Sequence, residues 1–225
     1  MINNKTVSAI LLIAGNSSRL GKNQNKNLVE INNIPVFLYS LNVLINNKYI
    51  DNISLVVKKE ELELIEQIVQ DKNVSLVLGG SSRQQSVYNA LVLSDSDIVV
   101  IHDGARPMIK DIYIEDCLEA LNTYKGISIA VKSKDTIKIT DDSDVVINTT
   151  DRKNTWIIQT PQCFDRKTLL DAHIKYKDSP DITDDCMLLE KCGYPVKLIP
   201  GGYTNIKITT EEDFQIVEQM LNKSL

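Results

Sequence analysis

The feature that most constrains this chain is an alternation of short apolar runs with segments of helical period. Runs rich in Val, Ile and Leu stand at residues 7–13, 53–57, 74–78, 98–101 and 127–131. Their apolar residues do not alternate with polar ones, so both faces of each predicted strand need cover, as in strands sandwiched between helices. Residues 36–45, 60–69, 82–93 and 112–124 carry apolar residues at helical spacing, which gathers them on one side of a helix. Strand, helix, strand in that order implies crossover connections and therefore an α/β fold with a mostly parallel sheet and helices on both faces. Ser82 and Gln85 have the spacing of a capping box, which predicts a helix starting just after Gly79-Gly80.

The rhythm changes after Val131. Thr136-Ile137-Lys138-Ile139-Thr140 alternates, Asp141-Asp142-Ser143-Asp144 reads as a turn, and residues 145–149 read as a returning strand. This predicts an extended β-arm inserted at about 133–157. A lone hairpin is marginal in water, so the arm needs a surface to pack on, and a second subunit is one such surface. Helices are expected near 166–176 and 184–192, a strand at 196–199, and a last helix at 211–221 capped by Thr210 and Asp213. With no repeat, low-complexity tract or flexible linker, residues 1–225 read as a single domain carrying the arm.

Composition narrows the partners. The 225 residues are 43% hydrophobic, ordinary for a globular chain. Lys+Arg 25 against Asp+Glu 30 gives a net charge of -5, which argues against nucleic acid or an anionic membrane as partner. A small anionic substrate would need locally grouped cations. No apolar stretch approaches the ~20 residues needed to cross a bilayer. Residues 7–14, preceded by Lys5, could pass for a short signal-peptide core, but they read equally as a buried strand feeding a loop. Cys117, Cys163, Cys186 and Cys192 form no Cys-x-x-Cys pair, and with two histidines most zinc patterns are excluded. The cysteines read as reduced thiols of a cytoplasmic protein.

In an open α/β sheet, ligands bind beyond the carboxyl ends of the strands. Here the segments after those ends are polar. The first strand runs into Ala14-Gly15-Asn16-Ser17-Ser18-Arg19-Leu20-Gly21, with Lys22 and Lys26 beyond. Small residues there let backbone N–H groups approach a phosphate, and the cations add charge; a tight turn with solvated lysines is the alternative. Gly-x-Gly-x-x-Gly and the Walker lysine pattern are both missing, which counts against a dinucleotide dehydrogenase and a P-loop kinase. The third strand ends in Gly79-Gly80-Ser81-Ser82-Arg83-Gln84-Gln85-Ser86 and the fourth in His102-Asp103-Gly104-Ala105-Arg106-Pro107. Asp103 is placed to hold Mg²⁺ bridging substrate phosphates, or simply to pair with Arg106; His102 is given no role. Gln159-Thr160-Pro161-Gln162 reads as a rigid hydrogen-bonding loop, and Thr183-Asp184-Asp185 as a helix N-cap and nothing more. Alternation at 204–209 predicts a strand with Asn205, Lys207 and Thr209 on one side.

Taken together and in this order, these segments resemble the Rossmann-like nucleotidyltransferases that activate sugar or polyol phosphates, and most closely the 2-C-methyl-D-erythritol 4-phosphate cytidylyltransferase family of the non-mevalonate isoprenoid pathway. Asp135-Thr136-Ile137-Lys138 and Thr150-Asp151-Arg152 belong to the same resemblance, which spans essentially the whole chain. It implies a reaction of CTP with methylerythritol phosphate to give the CDP-alcohol and pyrophosphate. It further implies that Arg19, Lys26, Arg152 and Lys207 are catalytic, Arg19 and Lys26 at the triphosphate and Arg152 and Lys207 at the substrate phosphate. Ala14, Gly15, Gly80, Ser81, Arg83, Ser86 and Asp103 would form the nucleotide site, with Asp103 on Mg²⁺. Thr136, Thr160 and Thr183 would contact the alcohol substrate with Arg152 and Lys207, and the arm would cross to a second subunit of a homodimer. Asn16, Ser17 and Ser18 stand where the family usually has glycines, and Asn25-Lys26-Asn27 departs from its usual neighbours, so Lys22 competes with Lys26 for the loop-lysine role. Ribitol-5-phosphate cytidylyltransferase is an alternative on the same fold, and an inactive nucleotide-binding module is an alternative of another class.

Overall fold

The computed structural model describes residues 2, 4–15, 25–179 and 181–223. Its centre is a seven-stranded sheet in the spatial order β11 (Val196–Pro200), β7 (Gly126–Lys132), β10 (Trp156–Asp165), β6 (Ile98–Asp103), β1 (Val7–Leu12), β4 (Asn52–Val57) and β5 (Ser75–Leu78). β1, β4, β5 and β6 pair in parallel, as do β7 and β11. The two-sided apolar pattern is resolved by strand parity. Val7, Ala9 and Leu11 of β1 face the helices α1 (Val36–Asn46), α2 (Leu62–Val69) and α4 (Asp111–Ala120), whereas Ile10 faces α3 (Arg83–Leu93), α5 (Arg166–Lys175) and α6 (Asp185–Lys191). β6 divides likewise, Ile98 and Val100 to one side and Val99 and Ile101 to the other. With both faces covered, the loops at the carboxyl edge are the natural place for a ligand.

Three features depart from the expected layout. Gln159-Thr160-Pro161-Gln162 is not a free loop but the middle of β10 (Trp156–Asp165), which runs antiparallel between β6 and β7. Pairing jumps from Ile158–Ala130 to Gln162–Ser128, so β10 bulges where Thr160 and Pro161 lie. The Pro that argued for a loop is tolerated because it falls in that bulge. Residues 204–209 form no strand; they are an irregular segment that leaves a turn at Tyr203-Thr204 and is fixed by the Ile208 N–H donating to the Ala105 carbonyl at 2.8 Å. A short hairpin, β2 (Glu30–Ile31) with β3 (Ile34–Pro35), was not apparent in the sequence; Asn32 and Asn33 turn it at φ 55° and 62°. α7 (Glu211–Asn222) packs beside it through Val217, Ile31 and Ile208.

The caps are largely as the spacing predicts. Ser82 accepts from the Gln85 N–H at 3.1 Å, but the Gln85 amide oxygen takes the Ser81 N–H at 2.9 Å, one residue outside the expected box. Thr210 and Asp213 form the full reciprocal box on α7. The arm is a hairpin of β8 (Lys138–Thr140) and β9 (Val146–Thr149), every residue of both strands exposed. It leaves the sheet after Lys132 and rejoins it at Trp156, which is already sheet.

His102 near the end of β6 is fully buried. Its Nε2 lies 3.1 Å from the Arg106 carbonyl, which can only accept, so Nε2 carries the ring proton and donates it there. In the neutral ring Nδ1 is then an acceptor, so Thr160 Oγ1 donates to it at 2.9 Å while accepting from the Asp103 N–H at 3.1 Å. Burial lowers the His102 pKa to about 4, below its ordinary 6.5, so the ring is neutral and ties β6 to β10. Because the unfolded chain takes up this proton near pH 6.5 and the folded chain only near 4, stability falls as pH falls between those values. The share assigned to His102 between pH 7 and pH 5 is about 2 kcal/mol. Urea unfolding of His102→Asn should lose roughly that much less over the same interval; equal losses in the two proteins would contradict the assignment.

Candidate active site

Three loops meet at the carboxyl edge of the sheet. A Cβ on Gly79 would lie 2.7 Å from the Ala14 Cβ, and one on Gly104 would lie 2.5 Å from Ile13 Cγ2. Only glycine permits approaches that close, so the loops after β1, β5 and β6 are drawn into contact. Asn25 and Asn27 both donate side-chain N–H bonds to the Ile13 carbonyl, at 2.8 and 3.1 Å. They pin the segment carrying Lys26 to the end of β1. Ser86 Oγ accepts from the Gly80 N–H at 3.0 Å and donates to the Ser82 carbonyl at 2.8 Å, which fixes the loop leading into α3.

Asp103, the last residue of β6, is 8% exposed. Lys207 Nζ stands 2.7 Å from its Oδ2, Arg83 Nε 3.6 Å from Oδ1, and Arg106 Nε 4.0 Å from Oδ2. Burial alone would raise the carboxyl pKa, but the Arg83, Lys207 and Arg106 charges outweigh it and hold the group far below the usual carboxylate range. The pairing anticipated with Arg106 is thus the longest of three. Arg106 instead spends its guanidinium on carbonyls, donating to Asn205 at 2.8 Å and to Ile158 at 3.4 Å. Arg83 sits in the first turn of α3, where the helix dipole disfavours a cation. Burial disfavours its charge too, yet Asp185 and Asp103 more than compensate and raise its pKa.

Two cavities flank this cluster. One, of about 530 Å³, is lined by Ala14, Gly15, Lys26, Gly80, Ser81 and Ser86, with Asn27 and Thr209. The other, of about 490 Å³, is lined by Thr160, Thr183, Gln159, Gln162, Met187 and Leu198. Arg83, Asp103 and Lys207 line both, so the ion cluster is the wall the cavities share. Thr160 presents little free hydroxyl, since its proton goes to His102 and one lone pair to Asp103. Asn205, expected beside Lys207, is buried elsewhere: its Nδ2 donates to the Thr160 carbonyl at 2.9 Å and supports the β10 bulge.

Not every anticipated residue comes to this wall. Thr136 and Arg152 line neither cavity; Arg152 Nη2 donates to Thr136 Oγ1 at 3.0 Å at the exposed base of the arm. Arg19 and Lys22 lie outside the described residues. Two residues stand behind Arg83: Asp185, named in the sequence only as part of a helix cap, and His173, which sequence reasoning passed over. Arg83 Nη1 donates to Asp185 Oδ2 at 2.6 Å, and His173 Nε2 lies 3.1 Å from Asp185 Oδ1. Asp185 could have been suspected from its place one residue after the predicted cap, whereas His173 gives no signal in an amphipathic helix.

The model of the family described as "IspD: 2-C-methyl-D-erythritol 4-phosphate cytidylyltransferase" matches residues 7–223. The chain is 40% identical to the 2-C-methyl-D-erythritol 4-phosphate cytidylyltransferase of Caldanaerobacter subterraneus subsp. tengcongensis, over 96% of this chain and 99% of that protein. It is also 40% identical to the enzyme of the same name from Clostridium botulinum, over 96% of this chain and 97% of that one. Among solved structures, the 4-diphosphocytidyl-2C-methyl-D-erythritol synthase of Anaerococcus prevotii superposes with a TM-score of 0.88 at 34% identity, covering 98% of both chains. From its fold, its loops and these likenesses, the chain belongs to the 2-C-methyl-D-erythritol 4-phosphate cytidylyltransferase family.

Proposed function

We propose that this nucleotidyltransferase brings CTP and 2-C-methyl-D-erythritol 4-phosphate together across the wall formed by Arg83, Asp103 and Lys207. Family membership supplies the reaction, and the single observation that carries its placement is that these three residues line both cavities. CTP takes the cavity of Ala14, Gly15, Gly80, Ser81 and Ser86, and the acceptor takes that of Thr160 and Thr183. An oxygen of the acceptor phosphate attacks the α-phosphorus, the new P–O bond forms as the α–β bridge breaks, and pyrophosphate leaves with the bonding electrons. The products are 4-diphosphocytidyl-2-C-methyl-D-erythritol, an isoprenoid precursor, and pyrophosphate.

The nucleophile is already an anion and needs no general base, and His102, neutral and fully engaged, offers none. The work is to hold two anions in contact and stabilise charge at phosphorus. Lys26 and Arg83 face the triphosphate, together with Arg19 by family resemblance, and Lys207 reaches the acceptor phosphate from the wall. Among the described residues no cluster of three His, Cys, Asp or Glu side chains could hold a metal by itself. Asp103 is the one acidic residue on the nucleotide-side cavity among them, and it is ionised. One carboxylate plus phosphate oxygens is the usual holding of Mg²⁺, so the donor set fits a metal that arrives with CTP. When bound, Mg²⁺ supplies charge neutralisation at the phosphates, with Asp103 as its protein ligand.

The acceptor cavity is completed by the arm of a second copy, which brings Arg152 and Thr136 to it. Support comes from their absence from either cavity within one chain and from exposed Ile139, Val146 and Ile147 on the hairpin, apolar surface that a partner would cover. The unit of catalysis is then a homodimer of single-domain subunits. Four free cysteines, three of them buried, suit a reducing cytoplasm, and no described helix is long and apolar enough to cross a membrane.

Pyrophosphate release with CTP and Mg²⁺ should be at least tenfold faster with methylerythritol 4-phosphate than with ribitol 5-phosphate at equal concentration, a gap of about 1.4 kcal/mol in transition-state binding. The reverse preference would assign the chain to polyol-phosphate activation, and silence with both would leave it a nucleotide-binding module. Mixing inactive Arg152→Ala and Asp103→Asn subunits should restore about a quarter of wild-type activity, since half of randomly paired dimers regain one intact site. No recovery after verified subunit exchange would place Arg152 in the site of its own chain, or in none.

A further inference from the structure

Behind the shared wall lies a buried polar chain that runs from Arg83 through Asp185 to His173. Asp185 is 1% exposed and His173 1% exposed; neither lines the two cavities above, though His173 borders a third, of about 570 Å³, beside Ser82 and Tyr88. Asp185 spends one oxygen on each neighbour, Oδ2 on Arg83 Nη1 at 2.6 Å and Oδ1 on His173 Nε2 at 3.1 Å. An ionised carboxylate only accepts, so Nε2 carries the ring proton. His173 Nδ1 is buried without a hydrogen-bond partner. The ring's one hydrogen bond is therefore with Asp185, and that carboxylate is its direct link to Arg83.

A buried carboxylate is costly unless both oxygens are satisfied, and the start of α6 and the two donors supply what Asp185 needs. Its geometry matters because of Arg83. That guanidinium is a cation at a helix N-terminus, and its Nε sits 3.6 Å from Asp103. When CTP binds, a metal would draw on the Asp103 carboxylate and the phosphates on the Arg83 cation, so a second anion is needed to hold Arg83 in place. Asp185 is that anchor, and His173 fixes the rotamer of the anchor by a hydrogen bond to its far oxygen.

We propose that the His173–Asp185 pair is a positioning device that holds Arg83 in the wall between the cavities for CTP. The inference deepens the nucleotidyltransferase reading and rests on it. Neither residue is catalytic; both act through Arg83. A purely structural pair would leave CTP saturation unchanged in any variant that folds, whereas a positioning pair changes it in a way that depends on Arg83.

The test is CTP saturation of pyrophosphate release, with methylerythritol 4-phosphate in excess, in wild type, His173→Gln, His173→Phe, Asp185→Asn, Arg83→Gln and the double variant Arg83→Gln/Asp185→Asn, with thermal unfolding of each. His173→Phe and Asp185→Asn should raise KM for CTP about tenfold while kcat changes less than about threefold, the pattern of lost nucleotide binding. His173→Gln, which keeps an N–H donor, should stay within about threefold of the wild-type KM. In the Arg83→Gln background, Asp185→Asn should add less than about twofold. Should Asp185→Asn fail to fold, the contrast between His173→Phe and His173→Gln decides alone. An unchanged KM in folded His173→Phe, equal effects of Phe and Gln, or an Asp185 effect that persists fully without Arg83 would overturn the proposal. An inactive wild type would instead sink the enzyme reading, which the wild-type assay separates from the variants.

Discussion

A buried carboxylate at the end of a central strand must be either neutralised or surrounded by cations, and Asp103 is surrounded. Its three partners come from the start of α3, the loop after β6 and the segment before α7, so one charge fastens parts of the chain far apart in sequence. Removing Asp103 would leave Arg83, Arg106 and Lys207 facing one another, and breaking a buried pair typically costs about 3–5 kcal/mol. The same concentration of cations makes the spot attractive to phosphates. Stability and ligand preference therefore share one set of residues.

Strand parity hands both faces of the sheet to helices, so the carboxyl edge is left to bind. β10 then alters that edge. By entering antiparallel between β6 and β7 and bulging at Thr160, it sets a hydroxyl against the backbone of Asp103 and the ring of His102. The neutral histidine is what lets an ionised aspartate sit next in the chain without an added buried charge. Asn205 props the bulge from the other side, which also brings Lys207, two residues on, within reach of Asp103.

Much of this was legible because its causes are local. Two-sided apolar runs gave the parallel strands, and the glycine and hydroxyl loops at their ends supplied Ala14, Gly15, Gly80, Ser81 and Ser86, which line one common cavity. Ser82, Asp184 and Thr210 announced helix starts through cap chemistry and all accept a backbone N–H there. What was hidden depends on pairing across the chain. β10 reads as a loop because Thr160-Pro161 lies in it, and only the neighbouring strands reveal that a bulge absorbs the proline. The segment 204–209 alternates like a strand yet is held by one backbone bond to Ala105 and by Asn205. His173 differs from an ordinary core residue only through a partner twelve residues away. Arg152 and Thr136 are expected at the site by resemblance alone; within one chain they meet each other and line neither of the two cavities.

The central claim is that the ionised Asp103 couples metal and nucleotide at the wall between the two cavities. Calorimetric titration of CTP with and without Mg²⁺, on wild type and on Asp103→Asn shown by circular dichroism to be folded, tests it most directly. The account predicts that Mg²⁺ tightens CTP binding to wild type by about tenfold or more, and by less than about twofold in the variant, a coupling free energy of roughly 1 kcal/mol or more that depends on one carboxylate. An equal gain in both proteins would contradict it.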